Sequence, residues 1–208
     1  MNIAKVYEDD WLLVLDKPCG LLTIPTPKKE NRTLTSILND DLKQGTLNYR
    51  LHPCHRLDRE TSGLIIYAKG KSVQKQMTQL FKERKVKKTY IAFVAGSPSQ
   101  DQGEIRIPIE GLTAITKYRV IQRKKDFSVV QVNPLTGRTN QIRIHFKRIS
   151  HPVLGETRYA FRRDFKLKAK RLCLHAWQLE FIHPVTGKLL CLEADLPSYM
   201  ADLRVKDL

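Results

Sequence analysis

Apolar positions follow two different periods along the chain, and each period predicts a different kind of element. Short runs rich in apolar and β-branched residues, too short for a globular helix, predict strands. These runs cover residues 3–7, 11–16, 64–68, 90–95, 103–109, 115–123, 127–134, 174–184 and 188–194. Apolar positions at helical spacing predict helices over residues 33–43, 72–84 and about 138–149. Strand pairs linked by short turns and interrupted by such helices predict an α+β domain with a largely antiparallel, mixed β-sheet and flanking helices.

The length and charge of the chain narrow its class. Its 208 residues suit a single domain with one core, spanning residues 1–208, and are short for two. Lysine and arginine outnumber aspartate and glutamate by 37 to 21, which gives a formal charge of +16. This excess points to a polyanionic partner. Nucleic acid is favoured over an anionic membrane because no stretch approaches the roughly 20 apolar residues of a membrane span.

The cysteines and the N-terminus add further expectations. The four cysteines lie far apart and form no C-x-x-C pair, so free thiols are expected rather than a zinc ribbon or a disulfide framework. They are Cys19, Cys54, Cys173 and Cys191. The histidines and cysteine within residues 52–55 are too close together for three ligands to converge, so no metal site is expected. The N-terminus lacks the apolar core of a signal peptide, which predicts a cytoplasmic protein.

A stretch of mixed character, residues 52–69, holds the first candidate for chemistry. Its apolar second half is a predicted strand, and its polar first half is a loop because Pro53 disfavours helical angles before it. Asp58 therefore lies near a strand entrance between Arg56 and Arg59, whose charges favour the ionised carboxylate. An ionised carboxylate suits a nucleophile better than a general acid. The alternative is an ordinary loop aspartate that caps a turn.

Residues 55–64, His-Arg-Leu-Asp-Arg-Glu-Thr-Ser-Gly-Leu, resemble the signature of the RluA-type pseudouridine synthases. In that family His-Arg-Leu-Asp, two variable residues and Thr-Ser-Gly surround a catalytic aspartate, which implies that role for Asp58. The turn at residues 16–21, Asp-Lys-Pro-Cys-Gly-Leu, also resembles the opening of the family's catalytic domain. Upstream there is no room for the S4-type RNA-binding domain that many relatives carry, so RNA contacts are expected from the catalytic domain itself.

A basic run at residues 82–90 leads into a predicted strand, and its end resembles the family's Lys-Lys-x-Tyr segment. In the family this segment places a tyrosine over the target base, which implies that role for Tyr90 after Lys87 and Lys88. Stacking on an extruded base is worth about 1–3 kcal/mol, and the hydroxyl could relay a proton. The alternatives are a core-packed strand tyrosine and, for the basic run, a solvated face.

A second motif, residues 135–145, resembles the family's Thr-Gly-Arg-x-His-Gln-apolar-Arg-apolar-His, with Asn140 in place of the common histidine. The resemblance implies that Arg138 can form a bidentate pair with Asp58, which would fix the direction of the carboxylate and keep it ionised. A surface or phosphate-binding arginine is the alternative for Arg138.

A third segment, residues 150–159, resembles the family's His-Pro-x-x-Gly-Asp-x-x-Tyr, with Glu156 where aspartate is usual. We interpret this segment as a structural loop. The basic stretch at residues 162–171 that follows it is suited to phosphates.

The resemblance extends from about residue 6 to about residue 197 and implies an enzyme that isomerises uridine in RNA. In this reaction the C1′–N1 bond of the nucleotide breaks and C5 of the uracil bonds to C1′. The fold that the resemblance implies has a central catalytic cleft. No metal, organic cofactor or external group is needed, and a monomer acting on ribosomal or transfer RNA, or both, is expected. The catalytic candidates are Asp58, Tyr90 and Arg138, and the RNA-binding candidates are Arg56, Arg59, Lys87, Lys88 and Arg143.

Two other function classes stay open. A non-catalytic RNA-binding protein of the same fold would account for the charge, but it gives no reason for Asp58, Tyr90 and Arg138 to occur together. A hydrolase acting on nucleosides through Asp58 would usually need a second carboxylate at the same bond. The nearest acid, Glu60, falls at a variable position of the motif. A hydrolase would release uracil, whereas an isomerase would not.

Overall fold

The chain divides into two compact units, which the computed structural model describes over residues 3–27, 30, 32–44 and 49–205. Unit 1 comprises Met1–Lys87 and Gln178–Ala194, and unit 2 comprises Lys88–Trp177 and Asp195–Leu208. The sequence predicts one domain with one core, whereas each unit has buried clusters of its own. That the two units together make a single domain stays a prediction.

Unit 1 combines antiparallel strands with two helices. Its elements are β1 (Lys5–Glu8), β2 (Leu12–Lys17), α1 (Leu34–Gln44), β3 (Leu51–Pro53), β4 (Ser62–Lys69), α2 (Lys71–Lys82), the second part of β9 (Leu174–Ile182) and β10 (Leu189–Glu193). β2 lies between β1 and β4, and β3 pairs with β4 as well. β9 and β10 form an antiparallel hairpin.

The strand β4 is the centre of unit 1, because seven of its eight residues are buried. Successive side chains of a strand point to opposite faces. On one face Leu64 and Ile66 pack in a cluster with Val73 and Met77, the buried residues of α2. Tyr67, at the alternate register, bonds through its hydroxyl to Thr35 of α1 at 3.0 Å. β4 is therefore covered by α2 on one face and by α1 on the other.

In unit 2 the strands β5, β8, β7 and β6 lie side by side in that order, and each neighbouring pair is antiparallel. Its elements are β5 (Lys87–Ala95), β6 (Gln102–Ile105), β7 (Thr116–Arg123), β8 (Phe127–Pro134), α3 (Gln141–Arg148), a 3-10 helix (Arg162–Asp164), the first part of β9 and α4 (Ser198–Val205). The register of β5 and β8 places Tyr90 opposite Val132.

The strands β5 and β8 are buried on both faces. Ala92 and Val94 of β5 belong to a cluster with Phe146 of α3. The alternate residue Phe93 belongs to another cluster, which includes Leu154 and which α4 joins through Met200. β5 and β8 are thus apolar on two sides, which accounts for their nearly continuous apolar runs, whereas every second residue of β7 is exposed.

The predicted α+β class with mostly antiparallel strands is confirmed. The three predicted helices appear as α1, α2 and α3, and each predicted strand has a counterpart. β6 ends at Ile105 rather than at residue 109, because Ile109 turns back to Leu112 through two mutual backbone hydrogen bonds of 2.9 and 3.0 Å. The pattern of apolar residues did not predict β3 or α4. β3 has only three residues and ends in Pro53, and α4 is defined by what it packs against. Within the described residues, no helix combines the length and apolar character needed to cross a bilayer.

Gly155 allows two segments of unit 2 to approach closely. Its φ of 77° is in the left-handed region, and a Cβ at this position would lie 1.9 Å from the backbone oxygen of Arg171. No side chain other than hydrogen fits without displacing that backbone.

We predict that Gly155→Ala lowers the free energy of unfolding by at least about 3 kcal/mol, because left-handed strain and steric overlap add. Gly187→Ala is the matched control, since Gly187 has a φ of 70° and a Cβ added there would meet no atom within 4 Å. It should cost only the conformational strain of about 1–2 kcal/mol. Chemical denaturation of both variants measures the difference, and equal losses would contradict the close approach.

Candidate active site

The backbone that carries Asp58 is held in place from within unit 1. The buried hydroxyl of Thr23 donates to the Leu57 carbonyl at 3.0 Å and accepts from the Leu57 N–H at 3.2 Å. On the other side, the Thr61 N–H donates to the Asp58 carbonyl at 3.2 Å and closes a turn before β4. The Asp58 side chain is partly exposed, while Leu57 is buried. Asp58 therefore combines a fixed backbone with partial exposure to solvent.

Lys17, at the end of β2, also holds the loop that carries Asp58. It is fully buried, and its ammonium donates to the carbonyls of Pro18, Leu21 and Arg59 at 2.9, 2.8 and 3.3 Å. Burial lowers the pKa of Lys17 to about 8, and the charge of Asp58 is among the groups that act in the opposite direction. Lys17 is thus charged at neutral pH. Its attraction to Asp58 is mutual and favours the ionised carboxylate.

The two arginines beside Asp58 in the sequence differ in their surroundings. Arg59 pairs with Glu30 at 2.6 Å, with both side chains partly exposed. Arg56 is exposed and has no ion-pair partner within the described part of the chain. Because Arg56 and Arg59 flank Asp58 in the sequence, both charges were predicted to favour its ionised form. In the structure, the described ion pair of Arg59 is with Glu30. A buried charge that the sequence analysis did not single out, Lys17, provides a nearby cation.

The residues before Asp58 have structural contacts. The His55 ring accepts a hydrogen bond from the Ile66 N–H at 3.1 Å and packs on Phe81 with ring centroids 4.6 Å apart. Burial raises the pKa of the Cys54 thiol to about 12. Among the described residues, no three His, Cys, Asp or Glu side chains are grouped so that they could hold a metal ion.

Tyr90 lies in unit 2, on the partly exposed stretch at the start of β5. Its ring packs against the cluster on the α3 face of the sheet and is half-buried. The Asn133 side chain on β8 fixes this end of β5 by donating to the Lys88 carbonyl at 3.1 Å and to the Thr89 hydroxyl at 2.9 Å. Tyr90 therefore packs on the core with one side, as expected for a core-packed strand tyrosine, but it is not fully buried. Lys87 is exposed and pairs with Glu180 at 3.2 Å.

Arg138 lies in unit 2, three residues before α3. The buried Gln141 side chain accepts hydrogen bonds from the Arg138 N–H at 3.0 Å and from the Thr136 hydroxyl at 2.7 Å. It also donates to the Ile115 carbonyl and the Thr116 hydroxyl. This arrangement resembles a capping box, in which a side chain in the first turn binds the backbone that precedes the helix. The Arg138 Nε donates to the Thr113 carbonyl at 3.0 Å, which restricts the direction of its guanidinium.

Arg143 has a different environment from the one predicted. Its side chain is 4% exposed and forms a bidentate pair with Glu156 at 2.6 and 2.8 Å. Asn140, which has a left-handed φ of 53°, accepts from Arg143 at 2.9 Å and donates to the Tyr159 hydroxyl at 2.9 Å. A buried guanidinium with its carboxylate cannot also bind solvent-exposed phosphates. The described contacts of Arg143 are therefore structural ones within the protein.

Sequence reasoning selected Asp58, which lies in unit 1, and Tyr90 and Arg138, which lie in unit 2, without identifying the residues that hold them. Lys17 and Gln141 lie inside the family motifs, so the sequence could have marked both positions as important. It could not show which groups they contact. Thr23 lies outside every motif, and only the fold shows its contact with Leu57.

Comparison with known proteins adds independent evidence. Residues 11–148 match the family model described as RNA pseudouridylate synthase. The chain is 37% identical over 200 residues to the dual-specificity RNA pseudouridine synthase RluA of Yersinia pestis, covering 88% of this chain and 93% of that protein. It is 33% identical to the protein of the same name from Escherichia coli, with 92% of each chain covered. Its fold is similar to the solved structure titled Human RNA Pseudouridylate Synthase Domain Containing 4, with a TM-score of 0.79, 25% identity and coverage of 95% and 90%.

The buried Arg143–Glu156 pair predicts a pH-dependent stability. Burial opposes the ionisation of Glu156, but hydrogen bonds from Arg143 and from two backbone N–H groups outweigh it and hold its pKa below the ordinary 4.5. Since the folded pKa is the lower one, ionised Glu156 stabilises the protein above about pH 4.5. That contribution is lost as the pH falls through the folded pKa.

Glu156→Gln should therefore lower the free energy of unfolding at pH 7 by about 3–5 kcal/mol, because the Arg143 charge is left buried without a counterion. The loss should shrink as the pH falls below 4.5. Asp40→Asn, which removes an exposed ion pair with Lys43, should change stability little. Denaturation series from pH 3 to pH 7 measure both variants, and a Glu156→Gln loss that is small or independent of pH would contradict the role of the pair.

Proposed function

Since the chain belongs to the RNA pseudouridylate synthase family, we propose that it converts uridines of ribosomal and transfer RNA to pseudouridine, with Asp58 as the catalytic residue. The reaction class follows from the family, and the protein is an RNA pseudouridine synthase, an isomerase. Relatives that match this chain over most of their length are named dual-specificity enzymes, which supports the proposal of more than one RNA substrate.

The reaction rearranges one nucleotide. The C1′–N1 glycosidic bond breaks, the uracil turns while still bound, and C5 forms a bond to C1′ as it loses its proton to N1 or solvent. Atoms and electrons balance within the nucleotide, so the proposal includes no cofactor. The target uridine must leave its stack to reach the enzyme, at a cost of a few kcal/mol.

The observation that carries the assignment of Asp58 is its position on a clamped loop. Thr23 fixes the preceding residue, Lys17 binds the following carbonyl, and the Asp58 side chain remains partly exposed. A carboxylate held in this way is positioned to act as nucleophile or base on an extruded nucleotide. The attraction to buried Lys17 favours the anionic form that both roles require.

We propose Tyr90 and Arg138 as the other catalytic residues. Tyr90 is suited to stack on the target base, because its ring is half-buried at an ordered strand end. Arg138 is held by Gln141 and Thr113, so its guanidinium can offer directed donors to an anionic group.

The proposed RNA-binding residues are Arg56, Arg59, Lys87 and Lys88. Arg56 is suited to fill the space that an extruded base leaves, since it has a planar guanidinium, is exposed and lies two residues before Asp58 in the sequence. A monomeric state and a cytoplasmic location belong to the same proposal.

Asp58→Asn tests the catalytic assignment. The substitution removes the charge but keeps the shape, so we expect pseudouridine formation to fall below detection while RNA affinity stays within about twofold of wild type. Purified protein is incubated with unmodified ribosomal and transfer RNA, which is digested and analysed for pseudouridine and free uracil. Asp40→Asn, an exposed substitution on α1, serves as the control with normal turnover. Near-normal turnover in Asp58→Asn would show that Asp58 is not the catalytic residue. Release of uracil by the wild-type protein would indicate a hydrolase.

Substitutions of Tyr90 separate stacking from proton transfer. Tyr90→Ala should lower kcat/KM by roughly 5- to 150-fold, the equivalent of the 1–3 kcal/mol of a lost stacking contact. Tyr90→Phe keeps the ring, so its RNA affinity should match wild type, and any fall in its kcat measures the hydroxyl alone. Single-turnover kinetics on one RNA distinguish the two effects, and an unimpaired Tyr90→Ala enzyme would contradict the proposed role.

A further inference from the structure

A strongly basic segment of unit 2 plays no part in the functions proposed above. Residues 158–171 hold seven basic residues and one acidic residue, a net +6 of the chain's +16. We call this segment the basic strip. Its basic residues are Arg158, Arg162, Arg163, Lys166, Lys168, Lys170 and Arg171, and its acidic residue is Asp164.

The strip is docked on unit 2 by its apolar side chains. Phe165, Leu167 and Ala169 pack against the buried cluster on the α4 face of the sheet. The lysines between and after them are all exposed, and they are Lys166, Lys168 and Lys170. Two residues of chain span at most about 7 Å. Successive lysines are therefore spaced on the scale of neighbouring phosphates in a polynucleotide.

Contacts at both ends hold the strip in one conformation. Asp164 accepts from Lys147 of α3 at 2.7 Å and from the Phe161 N–H at 2.9 Å. At the other end, the Arg171 guanidinium lies over the Tyr199 ring at 5.7 Å, and the Tyr199 hydroxyl donates to the Leu172 carbonyl at 3.2 Å. A preordered strip loses little conformational entropy when it binds a ligand.

The three exposed lysines have no ion-pair or hydrogen-bond partner among the described residues. The only acid of the strip, Asp164, is already paired with Lys147. A row of exposed cations on a docked segment, without acidic partners among the described residues, is suited to neutralise consecutive phosphates and release their condensed ions.

Phe161 adds a contact of another kind at the start of the strip. Its side chain is 66% exposed, which is unusual for a large apolar group, and the Arg163 guanidinium lies 5.2 Å from its ring centroid. Exposed aromatic rings beside cations are the elements from which proteins build stacking platforms for unpaired bases.

We propose that the basic strip binds the phosphodiester backbone of the RNA substrate, with Phe161 stacking on an unpaired base. The inference rests on the proposed function for the identity of the ligand as RNA. Binding by the strip does not require turnover, so it can be measured separately.

The test uses the full chain and an unmodified, end-labelled transfer RNA transcript, titrated over a series of KCl concentrations. Lys166→Gln/Lys168→Gln/Lys170→Gln should weaken binding at least tenfold at moderate salt. It should also reduce the slope of log Kd against log salt by about 2 to 3, since each phosphate contact contributes roughly 0.7–0.9. The conversion rate at saturating RNA should remain that of wild type.

Two matched variants control for charge and for folding. The α2 triple variant, Lys71→Gln/Lys75→Gln/Lys82→Gln, removes the same charge from three exposed positions. Its salt slope should change by less than half the change seen in the strip triple variant. Lys166→Arg/Lys168→Arg/Lys170→Arg keeps the charge and should restore wild-type binding. Equal effects of the strip and α2 triple variants would show that only net charge matters and would overturn the proposal.

Phe161→Ala tests the stacking contact independently. It should weaken binding about fivefold or more and leave the salt slope unchanged, because no charge is lost. Phe161→Trp should retain wild-type affinity. An unchanged Kd in Phe161→Ala would remove Phe161 from the proposal. If the wild-type protein forms no pseudouridine but shows the strip-dependent slope, the proposed function fails while RNA binding by the strip stands.

Discussion

A buried cation must be fully matched by acceptors, and in both units this requirement determines how a loop that carries a proposed catalytic residue is held. In unit 1 the ammonium of Lys17 satisfies three carbonyls, one of them that of Arg59, directly after Asp58. In unit 2 the guanidinium of Arg143 is matched by Glu156 and bonds to Asn140, two residues after Arg138. An unmatched charge in either place would cost several kcal/mol, so each loop is confined to the conformation that supplies the acceptors.

The basic residues of the chain therefore include two groups with different tasks. Lys17 and Arg143 are buried. Lys17 donates hydrogen bonds to backbone carbonyls, and Arg143 pairs with the carboxylate of Glu156. Arg56 and the lysines of the basic strip are exposed and have no acidic partner among the described residues. The net charge of +16 points to RNA through exposed cations such as these, because an exposed cation can exchange its counterions for phosphates whereas a buried one already has its partner.

Most elements were predictable because their apolar periods are long and unambiguous. The run of β4 and the stripe of α2 each bury a contiguous face, and both appear where the period places them. The misses were elements with little local signal. β3 has three residues and takes its strand geometry from its pairing with β4, while α4 depends on Met200 and its neighbours reaching the cluster of Phe93. Asp58, Tyr90 and Arg138 were found through motifs, and the residues that hold them were not.

The sequence by itself determined the fold class, the family motifs and the position of Asp58 before a buried strand, because these depend on local period and local chemistry. Only the tertiary structure decided which charges are available to a ligand. Arg143 and Arg56 both lie within motifs, yet Arg143 is buried against Glu156, thirteen residues away, and Arg56 is exposed. Burial and pairing arise from contacts between distant segments, and no local pattern of residues specifies them.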